Sequence, residues 1–217
     1  VEVDAADPSV VTVTFAPVGD EMVIDLHMVD ATLNELARIE ADPRCRAIVL
    51  RGQPGCFCRG LDLAGLIDNR VTLDSLHRYG ELLRALRQAR PVVFAIIDGE
   101  VVGGGVGIAC AADIVLATPT STFSLPELCW GLLPAMVLPV LLERVTPQKA
   151  RRLTFGGAPI DATTAHRWGI VDELVADQSA LSTTLRSELR RVFKLRPSAV
   201  LDMKRHLESL RGLELEE

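Results

Sequence analysis

The chain has 217 residues, 48% of them hydrophobic and only 4% aromatic, with a formal net charge of −6. That length fits one domain with room for a helical appendage, and a core of Val, Leu, Ile and Ala suits an α/β layer fold. The acidic balance argues against nucleic acid as main partner, and the short apolar runs and missing basic n-region give neither a membrane span nor a signal peptide.

Val10 to Phe15 alternates and is β-branched, which predicts a strand closed by Pro17 and Gly19. Leu26, Val29, Leu33, Leu36 and Ile39 recur at helical spacing, giving a helix that ends near Pro43. Ala47 to Leu50 is a second buried strand, and Gly52, Pro54 and Gly55 release it into a loop from Cys56 to Leu63. A second amphipathic helix lies between Asp68 and Ala89, with Leu73, Leu76, Leu83 and Leu86 as its apolar face and Pro91 as its stop. Val92 to Ile97 is apolar throughout, as a strand buried on both faces must be. Strand–helix–strand–helix–strand implies parallel pairing with right-handed crossovers.

Gly103, Gly104, Gly105 and Gly107 then open a small-residue segment that runs to Ala112 and Asp113, followed by a strand from Ile114 to Ala117. Beyond Glu127 the chain reads as helices over Ala135–Glu143, Pro147–Phe155 and Ala162–Trp168, and a short strand over Ile170–Leu174. Two final helices run from about Ser179 to Lys194 and from Pro197 to Leu210.

Strand, glycines, helix is the order that aims backbone N–H groups out of a helix N-terminus, toward developing negative charge. The ordinary role of such glycines is close packing of helix on strand. The spacing is wrong for a dinucleotide fingerprint, and no Gly-Lys-Ser marks a triphosphate loop. A companion loop, Phe57-Cys58-Arg59-Gly60-Leu61-Asp62, also follows a strand, so the Leu61 N–H is a second donor. Two backbone donors from adjacent strand ends make an oxyanion hole for a thioester carbonyl.

Glu127 sits among Leu125, Pro126, Leu128 and Trp130. It is either a first-turn carboxylate that complements a helix dipole or an acid/base whose pKa is raised by its apolar surround. Asp62 reads first as a loop residue capping the next helix, and Asp113 as the tie of a turn. His27, His77, His166 and His206 are scattered, and no Gly-x-Ser-x-Gly supports a serine hydrolase. The five cysteines, Cys45, Cys56, Cys58, Cys110 and Cys129, read as free thiols of a reducing cytoplasm. Cys56-Phe57-Cys58 lacks the spacer and partner pair of a zinc knuckle, so no metal is expected. Basic residues cluster at Arg84, Arg87 and Arg90 and at Lys149, Arg151 and Arg152, as solvated helix faces or as contacts for an acidic partner.

Three motifs in this order, Phe57 to Asp62, Ile96 to Thr118 and Phe123 to Pro134, resemble the crotonase (enoyl-CoA hydratase/isomerase) superfamily from about Val10 to Leu210. The resemblance implies an α/β spiral of ββα units over residues 1–174. It also implies a C-terminal helical segment, 175–217, packing on the core or on a neighbouring subunit, and a homotrimer or dimer of trimers. It places the two hole donors on the N–H groups of Leu61 and Gly104. Ordinary enoyl-CoA hydratases carry two catalytic glutamates; one matches Glu127, but the other falls on Gly107. The missing side chain is expected to open space beside the substrate's β-carbon.

The pattern around Gly103–Gly107, Phe123–Ala135 and Gln148–Ala150 looks like the dehydratases of polyketide β-branching cassettes. These remove water from a 3-hydroxy-3-methylglutaryl-type group on an acyl carrier protein. The resemblance thus implies no cofactor beyond the phosphopantetheine (or CoA) that carries the substrate, with Glu127 as acid and base. Substrate-binding candidates are Asp62, Gly103, Gly107 and Trp130, joined by Leu133 and Met136 as pocket or core residues, with Arg59 and Arg78 as cations for a distal carboxylate. The acidic 213–217 tail disfavours the CoA phosphates. The alternatives are a decarboxylase or a CoA-ester hydratase or isomerase of the superfamily, or a non-catalytic carrier-binding subunit.

Overall fold

The computed structural model describes residues 1–17, 21–62 and 72–210. Its first half runs β1 (Glu2–Asp7), β2 (Val10–Thr14), α1 (Leu26–Ala41), β3 (Ala47–Arg51), β4 (Gly55–Cys58), α2 (Leu73–Gln88), β5 (Val92–Ile97) and β6 (Gly99–Val102). Then come α3 (Gly104–Ala111), β7 (Ile114–Ala117), β8 (Thr122–Ser124), a 3-10 turn (Glu127–Trp130), α4 (Val137–Leu142) and α5 (Pro147–Gly156). The chain closes with β9 (Ile160–Asp161), α6 (Ala162–Trp168), β10 (Glu173–Leu174), α7 (Gln178–Val192) and α8 (Pro197–Ser209).

Six strands form one sheet in the order β1-β2-β3-β5-β7-β10, parallel except for β1 at the edge. Side chains alternate across it, as strand geometry requires. Val49, Val92, Phe94, Ile96 and Leu116 meet Leu181 and Val192, so α7 covers that face. Ile48, Val93, Ala95, Ile97 and Val115 point the other way, into the larger core shared with Val29, Leu83 and Ile108 of α1, α2 and α3. After β3 and after β5 the chain adds a strand to a second sheet, β4-β6-β8-β9, before its next helix, which is the ββα unit of a spiral. That second sheet sets β4, β6 and β8 side by side and parallel, so the loops that follow them converge.

The C-terminal helices are fastened to the chain's own core. Arg46 Nη2 donates to the Leu195 carbonyl at 2.6 Å, and Lys204 Nζ donates to those of Ala89 and Pro91 at 2.8 and 2.9 Å. No helix among the described residues is long and apolar enough to cross a membrane.

Several expectations need correction. The loop expected from Cys56 begins as β4, a strand too short and too poor in β-branched residues to show by pattern. On α2, Leu73 is exposed; the buried face is Ser75, Tyr79, Leu82, Leu83 and Leu86, a stripe that counting the leucines at helical spacing mis-phases. The helix expected from Ala135 spans only Val137–Leu142, and the strand expected over Ile170–Leu174 is reduced to Glu173–Leu174. The second helix, expected from Asp68, opens at Leu73 with Thr72 as its cap, and the expected turn at Gly19, residues 68–71 and the acidic 213–217 tail lie outside the described residues.

Candidate active site

The loop after β4 is held against the stretch before α1. Arg59 N–H donates to the Met22 carbonyl at 2.7 Å, Ile24 N–H to Gly60 at 2.7 Å, and Asp62 N–H to Ile24 at 3.1 Å. Because Ile24 takes up the backbone groups of residues 60 and 62, the intervening Leu61 N–H points to the opposite side. Gly60 adopts φ +82°, and a Cβ there would stand 2.9 Å from the Val102 carbonyl oxygen and 3.0 Å from the Gly104 nitrogen. Only glycine fits that approach. Leu61 and Gly104, chosen from the sequence as donors, therefore lie on segments that the fold brings into contact.

Gly104 is the first residue of α3, so its N–H has no acceptor within the helix. The preceding Gly103 lies at φ +55° and provides no side-chain cap, unlike Asp25, Thr72, Thr146, Asp161 and Asp177 at other helix starts. Gly103 N–H donates to the Ser124 carbonyl at 2.9 Å, tying the glycine turn to the strand that leads to Glu127.

Glu127 opens the 3-10 turn, and its Oε1 lies 3.0 Å from where a Cβ on Gly103 would be. Its Oε2 is buried with no hydrogen-bond partner among the described residues. Burial raises the pKa of the carboxyl, and its own backbone N–H offsets part of that rise. A buried carboxylate oxygen without a partner is costly to the fold and is at hand for a proton carried by a bound molecule.

Gly107 does not open space. A Cβ on it would stand 2.3 Å from the Tyr79 hydroxyl oxygen, which fills the volume that the missing side chain leaves. Tyr79 is 1% exposed and donates its O–H to the Gly104 carbonyl at 2.6 Å. Burial pushes its phenol well above the ordinary value, so it stays a neutral donor. The signal available in the sequence was simple: this is the chain's one tyrosine, set in a leucine-lined helix.

Asp62 is buried beside Leu61, and the helix it would cap falls outside the described residues. Trp130 and Leu133 are exposed on the surface after Glu127, which excludes plain core packing for both, whereas the half-buried Met136 packs its Cε against Gly80 of α2. Arg59 is paired with Glu100 at 2.9 Å, and Arg78 with Asp30 at 2.7 Å and with Glu81. Either arginine would have to exchange a partner in order to hold a substrate carboxylate.

A ββα spiral with N–H groups at a glycine-opened helix and a carboxylate with one buried oxygen, that of Glu127, against the glycine turn defines a crotonase-type enzyme. The chain belongs to the enoyl-CoA hydratase/isomerase family, whose model matches residues 6–216. It is 32% identical over 206 residues to the bacillaene synthase dehydratase PksH of Bacillus subtilis, covering 93% of this chain and 78% of that one. A crystal structure of a putative polyketide biosynthesis enoyl-CoA hydratase (PksH) from Bacillus subtilis superposes with a TM-score of 0.89 at 30% identity, over 96% of this chain and 83% of that one. A crystal structure of an enoyl-CoA hydratase/isomerase from Marinobacter aquaeolei gives 0.90 at 31% identity, over 99% and 84%.

Proposed function

We propose that this protein dehydrates a 3-hydroxy-3-methylglutaryl-type thioester on an acyl carrier protein, giving the 3-methylglutaconyl-type enoyl thioester. The observation that carries this reading is that Glu127, with its unpartnered Oε2, lies beside the glycine turn while Tyr79 stands where a second carboxylate at 107 would be. The likeness to a protein named as the bacillaene synthase dehydratase supports the direction of the reaction.

The thioester oxygen accepts hydrogen bonds from the Leu61 and Gly104 N–H groups, so charge moving onto it is stabilised. Ionised Glu127 takes the proton from Cα and leaves an enolate. The same carboxyl, now protonated, gives that proton to the β-hydroxyl as the C–O bond breaks, and one water leaves. One carboxyl acting first as base and then as acid favours loss of hydrogen and hydroxyl from the same face. A raised pKa suits this double duty, because a more basic carboxylate is the better proton acceptor at Cα.

The carrier is acidic, and the basic clusters give it unequal opportunity. Arg87 is taken up by Glu143 and Glu208, and Arg90 by the carbonyls of Ile39, Asp42 and Cys45. Arg151 and Arg152 are exposed on α5, which packs against the turn bearing Glu127, and this helix is the proposed carrier contact.

Intact mass of the acyl carrier after incubation with the protein tests the reading. Loss of one water is expected. Loss of carbon dioxide from the enoyl product would move the chain to a decarboxylase. Carrier binding with no mass change, for the methyl substrate, its ethyl homologue and the CoA ester alike, would make it a binding subunit.

A further inference from the structure

The proposed reaction leaves Tyr79 without a task, although its buried hydroxyl lies against the first turn of α3. Its hydroxyl donates to the Gly104 carbonyl at 2.6 Å. The same oxygen stands 2.3 Å from a Cβ position on Gly107 and 3.3 Å from one on Gly104. A helix that opens on glycines at 104, 105 and 107 has no side chains there to pack. Its first turn therefore needs an outside restraint if its free N–H groups are to keep one direction.

We infer that Tyr79 is a positioning residue for this site: its hydroxyl occupies the space a side chain at 107 would need and from there holds the first turn of α3, keeping the Gly104 N–H aimed and excluding a second carboxylate at 107. The inference rests on the hole-and-Glu127 reading above. Tyr79 touches no substrate in this arrangement; it acts through Gly104.

The contacts allow the two parts to be separated. Around a Cβ on Gly107 only the Tyr79 oxygen lies closer than 3 Å, with Val137 Cγ2 next at 3.2 Å and Leu83 Cδ1 at 3.5 Å. Removing that one oxygen therefore makes room for a methyl group, which needs only a small shift of Val137.

The test is a double-mutant cycle of Tyr79→Phe and Gly107→Ala, read by melting temperature and by steady-state kinetics on the carrier-bound substrate. Gly107→Ala alone should melt well below the parent, and adding Tyr79→Phe should restore most of that loss although it removes a hydrogen bond. Tyr79→Phe alone should lower kcat about tenfold with KM almost unchanged, less than the two to three orders of magnitude lost with a hole donor itself. Simple additivity of the two melting shifts would overturn the seat assignment. An unchanged kcat in folded Tyr79→Phe would overturn the positioning role, because a merely structural tyrosine would move only the melting temperature. Should the parent turn over no thioester, it is the proposed function that fails, and the thermal cycle, which needs no substrate, still decides the seat.

Discussion

The two ends of α3 are built for opposite purposes. At its C-terminal end every charged group has a partner. Arg144 donates to the carbonyls of Cys110 and Ala112 at 3.1 and 2.5 Å and pairs with Asp172 at 3.0 Å. Asp113 accepts from Val93 N–H at 2.7 Å and from Lys204 at 2.6 Å, and Arg87 bridges Glu143 and Glu208 at 2.8 and 3.1 Å. At the N-terminal end Gly103 caps nothing with a side chain and Glu127 Oε2 has no partner among the described residues. The helix is anchored where no chemistry is proposed and left open where it is. Closed networks of that kind fix position, and an open end keeps its polar groups for a reacting molecule.

Breaking the open end should have the largest effect. Glu127→Gln is expected to reduce dehydration by about three orders of magnitude, measured by acyl-carrier mass, because the proposed mechanism uses this one carboxyl as both base and acid. The same substitution should raise the melting temperature at neutral pH. Burial raises this pKa, so the folded protein holds the proton more tightly than the unfolded chain. The stability linked to that proton is fully present below the unfolded value and is lost as pH rises through the folded one. Glutamine removes the ionisation, so its advantage should appear at pH 7 and vanish in acid. Retained dehydration in this variant would remove Glu127 from the mechanism.

Breaking the closed end should cost stability instead. Arg144→Leu strips the carbonyls of Cys110, Ala112 and Ile170 and the carboxylate of Asp172 of their donor and is expected to destabilise by about 3 kcal/mol in urea melts. Its kcat below the transition should stay close to the parent's. A collapse of kcat without loss of stability would mean that the two ends are not separable.

Two smaller effects sharpen the contrast. The proposed mechanism requires Glu127 ionised as base, so kcat/KM should rise with pH, with a midpoint above the ordinary glutamate value of about 4.3. A midpoint at or below that value would contradict the burial of the carboxyl. Arg151→Glu combined with Arg152→Glu should raise KM severalfold for the carrier-bound substrate and leave the CoA ester unaffected, as expected for charge at a docking rim. Equal effects on both would remove α5 as the carrier contact.

Much of this was legible in the residues alone. The run from Val92 to Ile97, apolar at every position, had to be a strand covered on both faces, and it is. The glycines from 103 to 107 announced the opening of α3, and Glu127 stood out as a carboxylate in an apolar surround; burial raises its pKa. These are signals carried within a few residues, through strand alternation, helix periodicity and the conformations only glycine adopts. Tyr79 in the space beside Gly107, Arg59 on Glu100, Arg78 on Asp30 and the exposure of Trp130 were decided only when α2 packed across α3 and the two sheets brought distant loops together. A residue's own neighbours in the chain determine what it can do, but which space it fills and which charge it meets depend on segments far away in sequence, and only tertiary packing selects those.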